Sequence, residues 1–392
     1  MTEKRKTQLR GSLFGLTASG KVLSCTLAFA GCLSMNIGFA VACCVTACVL
    51  SVFLDKKILT PEPFLIVPLV WVASLAGVDN LPLAVLLSAV LFAVLILPWK
   101  NGLVSVDKMN DSIVLGMLTG LAFSVTALMT TFYFGIGATG STVLEMLKNY
   151  RYLGFHPNWR GVFYGTITLF AMITYPFKFK KLSKYLPPEV VSIAIPFVLN
   201  LLLNPDAKTT PILELGAFSS ANLPAKTAEF IPLAASAVTG STFAIVAKGA
   251  FALTMITGLL YGSDKRKTNA AVAGANTLNG VFSGIPTVPR DIKAYGLPAA
   301  AVAVAAALAV GLSCPSLLAR IPLHSLAVVL IVPAWQRVPF GRFSSMFRKE
   351  KLFGVLIFAA CVASFIALDI CKAMTVCVVL LAALNVRRRK TK

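Results

Sequence analysis

The chain has 392 residues, of which 57% are hydrophobic and 13% are charged, whereas about 25% of the residues of a typical soluble domain are charged. This composition, with a mean hydropathy of +0.82, excludes an ordinary soluble protein. The net charge of +21 would also suit a nucleic-acid-binding protein, but the basic residues occupy short connectors and both ends, where they meet anionic lipid. We therefore expect a polytopic membrane protein that binds membrane lipid and no nucleic acid.

Apolar runs near the roughly 20 residues that cross a bilayer follow one another along the chain. They must be helices, because lipid offers backbone polar groups no partner. They predict about fourteen segments, several too short to cross alone. The predicted segments are 22–30, 37–54, 64–77, 81–97, 113–134, 162–175, 190–203, 230–260, 269–282, a short segment from Val288, 299–312, 327–335, 352–368 and 373–384.

The distribution of Lys and Arg predicts the orientation of the chain, because basic loops stay on the cytoplasmic side during insertion. The basic clusters lie at residues 4–10, 56–57, 100–108, 178–184, 265–267, 337–351 and 387–390. The connector at Asp79-Asn80 and residues 204–229 are far less basic and should face outward. We expect both termini in the cytoplasm of a bacterial cell, with the segments in its cytoplasmic membrane.

The predicted domains follow from these segments. They are a cytoplasmic tail (1–20), a first seven-helix repeat (21–204), a second seven-helix repeat (205–386) and a basic tail (387–392).

Metal, cofactor and disulfide chemistry is not expected. Most of the nine cysteines lie in apolar helix, where cysteine acts as a small hydrophobic residue. The two histidines, His156 and His324, are far apart, so a zinc or haem site is not predicted. His324 is expected to be structural.

Two proline-rich breaks precede the third and the tenth predicted segments. They are Thr60–Pro63 and Gly284–Arg290. Proline suits the first turn of a helix, so each break predicts extended chain that runs into a helix N-terminus. Interrupted helices at corresponding places in two halves indicate a transporter site, and two helix N-termini would favour an anion. Ordinary prolines in re-entrant turns are the alternative.

The residues at and around these breaks resemble the sulfate permease (SulP) family of anion transporters. Asn276–Pro286 resembles the family's segment before the tenth helix. Ile321–Ala327, followed by Val332–Trp335, resembles the pattern of its twelfth helix. Pro61-Glu62 fits the third helix, and Leu27–Ala30 fits the first. The likeness follows the chain order over nearly the whole length.

The resemblance implies an all-α membrane fold of two inverted seven-helix repeats, with core and gate domains and half-helices 3 and 10. It also implies a homodimer and a substrate such as sulfate, bicarbonate or chloride. Position by position, it places Cys25 and Phe29 at substrate-facing positions, and Lys293 where many members have an arginine. The resemblance further assigns to the start of helix ten the residues Thr287, Val288, Pro289 and Arg290.

Other candidates come from the residues themselves. Lys248 lies in the middle of a predicted span, where a charge costs at least about 2.5 kcal/mol, so it serves a substrate or a partner, or else it reaches the interface. Ser241 offers a hydroxyl to the site or a small residue for helix packing. Glu62 at a helix N-terminus acts as a cap or as an ion ligand. Lys293 follows the second break and supplies a cation.

The chain also departs from the family pattern. Cys25 replaces a glutamine, and bulkier residues follow Pro286. Residues 230–260 contain no carboxylate, which predicts exchange or uniport instead of sodium or proton symport. Because the chain ends at Lys392, no cytoplasmic STAS domain is expected.

Three alternatives remain at this point. A nucleobase-type permease would share the fold but would need carboxylates or amides in the eighth and tenth helices. An anion channel of the same fold would differ in its conductance. An integral membrane enzyme would need paired acids, a metal cluster or a Ser/His pair, and the sequence offers none, so a transporter is preferred.

Overall fold

A computed structural model of the chain describes residues 3–35, 37–54, 57–96, 111–136, 140, 142–203, 241–261, 266–291, 297–313, 315–318, 320–349 and 351–390. The first half contains α1 (Glu3–Cys32), α2 (Ile37–Leu50), β1 (Lys57–Thr60), α3 (Ile66–Ala76), α4 (Leu81–Ile96), α5 (Asp111–Phe134), α6 (Val143–Leu153), α7 (Trp159–Lys178) and α8 (Pro188–Leu203). The second half contains α9 (Ser241–Tyr261), α10 (Arg266–Phe282), β2 (Val288–Asp291), α11 (Leu297–Ser313), α12 (Leu323–Gln336), α13 (Arg342–Lys349), α14 (Lys351–Ala367) and α15 (Ile370–Lys390).

Most of the predicted helical segments are confirmed, with boundaries that shift by a few residues. In the described part of the chain, Val78–Leu95 and Asp111–Phe134 are long and apolar enough to cross a membrane alone, and eight further apolar helices have 10–17 residues. Helix α1 already begins at Glu3, so it runs through the stretch predicted as a tail. Of the segment predicted at 230–260, the structure describes the part from Ser241 onward, and the residues before it lie outside the described ranges.

Two helices in connectors were not predicted. The amphipathic helix α6 follows Thr142, whose hydroxyl accepts a hydrogen bond from the Glu145 amide at 3.1 Å. This is the N-cap arrangement that satisfies a free donor at the start of a helix. Helix α13 lies in the corresponding connector of the second half and is also polar on one face. Both are too short and too polar to cross a bilayer.

The packing of the helices follows an inverted repeat. Helix α4 packs against α9 and α10, and its counterpart α11 packs against α1 and α2. In the same way α5 packs against α14, while its counterpart α12 packs against α7, and α5 and α12 pack against each other. Each contact has a partner in which the two halves exchange roles. The chain is therefore a fourteen-segment membrane protein of two inverted repeats, with a core (α1–α4 and α9–α11) and a gate (α5–α8 and α12–α15).

The two predicted breaks form one short antiparallel sheet. Strand β1 pairs with β2, and Lys57, Ile58, Leu59 and Thr60 lie opposite Asp291, Arg290, Pro289 and Val288 respectively. The extended conformation of the breaks is thus confirmed. The short segment expected from Val288 is extended as far as Asp291 instead of beginning as helix there. Residues 292–296, which join β2 to α11, lie outside the described residues.

Candidate functional site

Strand β1 is held in place by a serine at the end of α2. The Ser51 hydroxyl donates to the Ala47 carbonyl at 2.5 Å and accepts from the Leu59 amide at 2.7 Å. Ser51, Leu59 and Thr60 are all fully buried. The Leu59 amide, which faces away from the partner strand, thereby finds an acceptor in the protein interior. An unpaired amide there would be costly. The strand is fixed before it turns into the break at Pro61, which is also buried.

The second break is held by two asparagines of α10. The Asn276 Oδ1 atom accepts from the Thr287 amide at 2.7 Å and from its hydroxyl at 3.3 Å. The Asn279 Nδ2 atom donates to the Thr287 hydroxyl at 3.2 Å. Thr287 was predicted for the site from the sequence, whereas the two asparagines were not. Their spacing of three residues, which puts both on one face of α10, is the signal that points to them.

Helix α1 brings Cys25 and Phe29 to the same region. Both side chains are buried, with 4% and 0% exposed. Four charged residues act electrostatically on Cys25, in decreasing order Glu189, Lys21, Arg290 and Glu62. Of the residues predicted for the site, Glu62 and Arg290 therefore share the surroundings of Cys25, and Phe29 follows Cys25 one turn later on α1.

Glu62 does not act as a side-chain cap. It precedes the turn Pro63–Leu65 that leads into α3, and its side chain accepts no hydrogen bond from that turn. Instead its two carboxylate oxygens accept from the Nε and Nη2 atoms of Arg337 at 2.8 and 2.9 Å. Arg337 stands at the C-terminal end of α12. The pair joins the core to the gate and places each charge at the helix end that favours it.

Arg290 is the cation of β2. It is partly exposed, while Val288 and Pro289 beside it are buried. Within the described ranges Arg290 forms no ion pair with a carboxylate. A guanidinium next to the two breaks, without a protein carboxylate, presents five donors to an anion.

A second ion pair between core and gate escaped the sequence analysis. The Lys21 Nζ atom lies 3.4 Å from Oε1 of Glu189, whose side chain is only 6% exposed. Glu189 stands in the first turn of α8. Lys21 precedes Cys25 by four residues and Phe29 by eight, so all three share one face of α1. That spacing was visible in the sequence, but Lys21 stood just before the predicted span.

Lys248 lies in a different place from the group around Cys25. It is an exposed residue of α9 that lines a cavity of about 600 Å³ with Asp369, Cys371, Lys372 and Thr375 at the start of α15. The Cys371 thiol donates to the Lys248 carbonyl at 3.0 Å. None of the other predicted site residues lines this cavity. The predictions for Lys293 and for the Ser241 side chain lie outside the part of the chain that the structure describes.

In this cavity Asp369 is paired with its neighbour. Lys372 Nζ lies 2.8 Å from Oδ2, and the amides of Cys371 and Lys372 donate to Oδ1. Partial burial raises the pKa of Asp369, but the hydrogen bonds and the charge of Lys372 outweigh it and hold this pKa below its ordinary value. The carboxyl is therefore ionised at neutral pH.

A second cavity, of about 450 Å³, lies between α1, α8 and α11. Its walls are almost wholly apolar, with residues such as Leu23, Leu27, Ile193 and Phe197. An anion in such a cavity would lose its hydration without gaining donors, so this cavity is not the anion site.

Solved structures share this fold at low sequence identity. The transmembrane domain of a cyanobacterium bicarbonate transporter, BicA, superimposes with a TM-score of 0.65 at 17% identity, over 95% of this chain and 97% of that one. SLC26A9 gives a TM-score of 0.71 at 13% identity, over 98% of this chain and 66% of that one. Murine Slc26a9, an anion transporter in the inward-facing state, gives a TM-score of 0.68 at 13% identity, over 97% of this chain and 68% of that one. No protein-family model and no curated protein sequence matches the chain.

These superpositions establish the fold. The chain has the architecture of the SulP and SLC26 transmembrane domains, over nearly its whole length. The resemblance that was read from the sequence is confirmed at that level.

Proposed function

We propose that the protein is a secondary transporter of a small inorganic anion. The observation that carries this proposal is the pairing of β1 with β2, which joins the two breaks and brings Arg290 to the region of Cys25. The solved structures of the same fold include a bicarbonate transporter and an anion transporter, which supports the same reading.

The chemistry of this region favours an anion over a cation or a neutral base. Of the four charged residues that act on Cys25, Glu62 is paired with Arg337 and Glu189 with Lys21, so only Arg290 lacks an ion pair among the described residues. Attraction between opposite charges grows as the surrounding dielectric falls, and Arg290 is only partly exposed, beside the buried Val288 and Pro289. The start of α3 behind the first break adds the positive end of a helix dipole.

We expect Cys25, Phe29, Pro61, Thr287 and Arg290 to line the path of the anion. Lys293 and Ser241 remain candidates by their position in the sequence. Transport would follow from a displacement of the core against the gate. Because helix α9 carries no carboxylate, we expect exchange or uniport, with neither sodium nor proton gradient required. We further propose a homodimer in a bacterial cytoplasmic membrane, with both termini in the cytoplasm.

Uptake by the purified protein in proteoliposomes tests this function. Radiolabelled sulfate and bicarbonate should enter, should be competed by other small anions, and should enter independently of sodium and proton gradients. Arg290→Gln and Lys293→Ala should each reduce the uptake. Lys184→Ala, which removes an exposed lysine from a connector, is the matched control and should not.

Other results would decide between the alternatives. Well-reconstituted protein with no flux of either anion would contradict the proposal, and competition by uracil or xanthine would point to a nucleobase permease. A conductance far above the turnover of a carrier would identify a channel of the same fold. Strict dependence on a sodium or proton gradient would overturn the exchange or uniport mode alone.

A further inference from the structure

Two lysines of the core lie on the first helix of each repeat, where that helix meets the last helix of the same repeat. Lys21 lies on α1 and Lys248 on α9, the first helix of each repeat, and each lies roughly three helical turns before the end of its helix. Helix α1 packs against α8, and α9 packs against α15, which are the last helices of the two repeats. Since the repeats are inverted, the two lysines face opposite sides of the membrane.

A carboxylate of the gate stands near each lysine. Glu189 lies in the first turn of α8, and Asp369 precedes the first turn of α15. An even number of crossings precedes α8 and an odd number precedes α15, so Glu189 lies on the side of the N-terminus and Asp369 on the other side. The structure thus contains two repeat-related pairs of a core lysine and a gate carboxylate.

The two pairs are in different states. Lys21 is bound to Glu189 at 3.4 Å, and Cys25 beside it is buried, next to the apolar cavity of about 450 Å³. On the other side Asp369 is bound to Lys372 instead, and a cavity of about 600 Å³ separates it from the exposed Lys248. Among the described residues Lys248 has no carboxylate partner. The Cys371 thiol donates to the Lys248 carbonyl, so α15 lies beside this part of α9, and Lys248 and Asp369 line the same cavity.

We infer that Lys21 and Lys248 are repeat-related anion-receiving lysines, and that each is neutralised by Glu189 or Asp369 when its side of the transporter is closed. A lysine inside a membrane protein needs a counter-ion, and an arriving anion and the gate carboxylate compete for the same ammonium group. The open side therefore offers a cation to the anion, and closure replaces the anion by the carboxylate. This inference rests on the proposed function.

Cys25 provides a native reporter that needs no transport. It lies one helical turn from Lys21 and is 4% exposed, so a membrane-impermeant methanethiosulfonate should modify it slowly, as measured by mass spectrometry of the reconstituted full-length protein. Glu189→Gln should raise the rate about fivefold, which corresponds to a shift of about 1 kcal/mol in a two-state equilibrium. Modification of Cys361, buried in the gate, should not change.

The decisive variant, Lys372→Ala, lies at the start of α15, on the side of the membrane opposite to Glu189. Lys372→Ala releases Asp369 to bind Lys248, which should close that side and raise Cys25 modification by a similar factor. The double variant Lys372→Ala with Lys248→Gln should return to the wild-type rate, and Lys184→Ala should match wild type. Lys372 is largely exposed, so its removal leaves folding intact. The Lys372→Ala measurement therefore tests the inference even if Glu189→Gln does not fold.

An unchanged rate of Cys25 modification in Lys372→Ala, or a raised rate that persists in the double variant, would overturn the inference.

The kinetics of transport test the anion-receiving role. In oriented proteoliposomes Lys248→Gln should raise the KM for bicarbonate or sulfate from the α15 side only, and Lys21→Gln from the other side only; equal effects on both sides would refute this role. Coupled labelling without any anion flux would instead overturn the proposed function and leave the paired gates standing.

Discussion

Glu62 and Arg337 form a two-point ion pair across the boundary between the core and the gate. The Nε and Nη2 atoms of Arg337 lie 2.8 and 2.9 Å from the two oxygens of Glu62, whose side chain is fully buried. Glu62 belongs to the first break and Arg337 to the end of α12. The residue that the sequence offered as a cap or an ion ligand is therefore a point of attachment between the core and the gate.

Removal of either charge should destabilise the protein. Glu62→Gln leaves the guanidinium of Arg337 without its counter-charge, and we expect the free energy of unfolding to fall by about 2–3 kcal/mol. This is less than the loss usual for a fully buried pair, because the Arg337 side chain is 31% exposed. Thermal unfolding of the detergent-solubilised protein measures the effect. The double variant Glu62→Gln with Arg337→Met should recover part of the loss; strictly additive losses would contradict the pairing.

The hydrogen bonds at Thr287 predict that Asn276→Ala destabilises the protein more than Thr287→Val does. Asn276→Ala removes the acceptor of a buried backbone amide, which costs about 1–3 kcal/mol, and should lower both stability and anion uptake. Thr287→Val removes only the hydroxyl and keeps the Asn276–amide bond of 2.7 Å, so it should cost less. Unfolding temperatures of the two variants provide the comparison, and a greater loss in Thr287→Val would be the contrary result.

Arg290 should contribute to the affinity for the anion. A charge-assisted hydrogen bond contributes about 1.5–3 kcal/mol, so Arg290→Gln should raise the KM for the transported anion about tenfold or more. The fold should persist, because the residue is partly exposed and the strand pairing uses its backbone. Lys184→Gln, which changes an exposed lysine of a connector, is the matched control. Equal KM values for the two variants would remove Arg290 from the site.

His324 and Gly161 fit each other in the gate. His324 is fully buried at the start of α12, and a Cβ atom on Gly161 of α7 would overlap its ring. Gly161→Ala should therefore destabilise the protein by roughly 1–3 kcal/mol, as overpacking does. Adding His324→Ala should restore stability in the double variant, because the ring that clashes is gone. If the double variant unfolds at the temperature of Gly161→Ala, the clash is not the cause.

The sequence by itself determined the membrane fold. Apolar segments of the right length, the prolines before the third and the tenth of them, and the motifs Asn276–Pro286 and Ile321–Ala327 were enough to predict the repeats and the two extended breaks. These features are local: hydrophobic length and the missing amide of proline act within a few residues. The resemblance to the SulP family assigned Cys25, Phe29 and Thr287 to the site by their positions beside these motifs, and that assignment stays a prediction.

Only the tertiary structure decided which charges meet. The pairing of Glu62 with Arg337 and of Lys21 with Glu189 joins residues more than a hundred positions apart, and nothing in their neighbourhood specifies the partner. Lys248 looked equivalent to the other candidate cations in the sequence, but the fold puts it in a separate cavity with Asp369. An ion pair depends on distances of a few ångströms, and those distances are set by how the core packs against the gate.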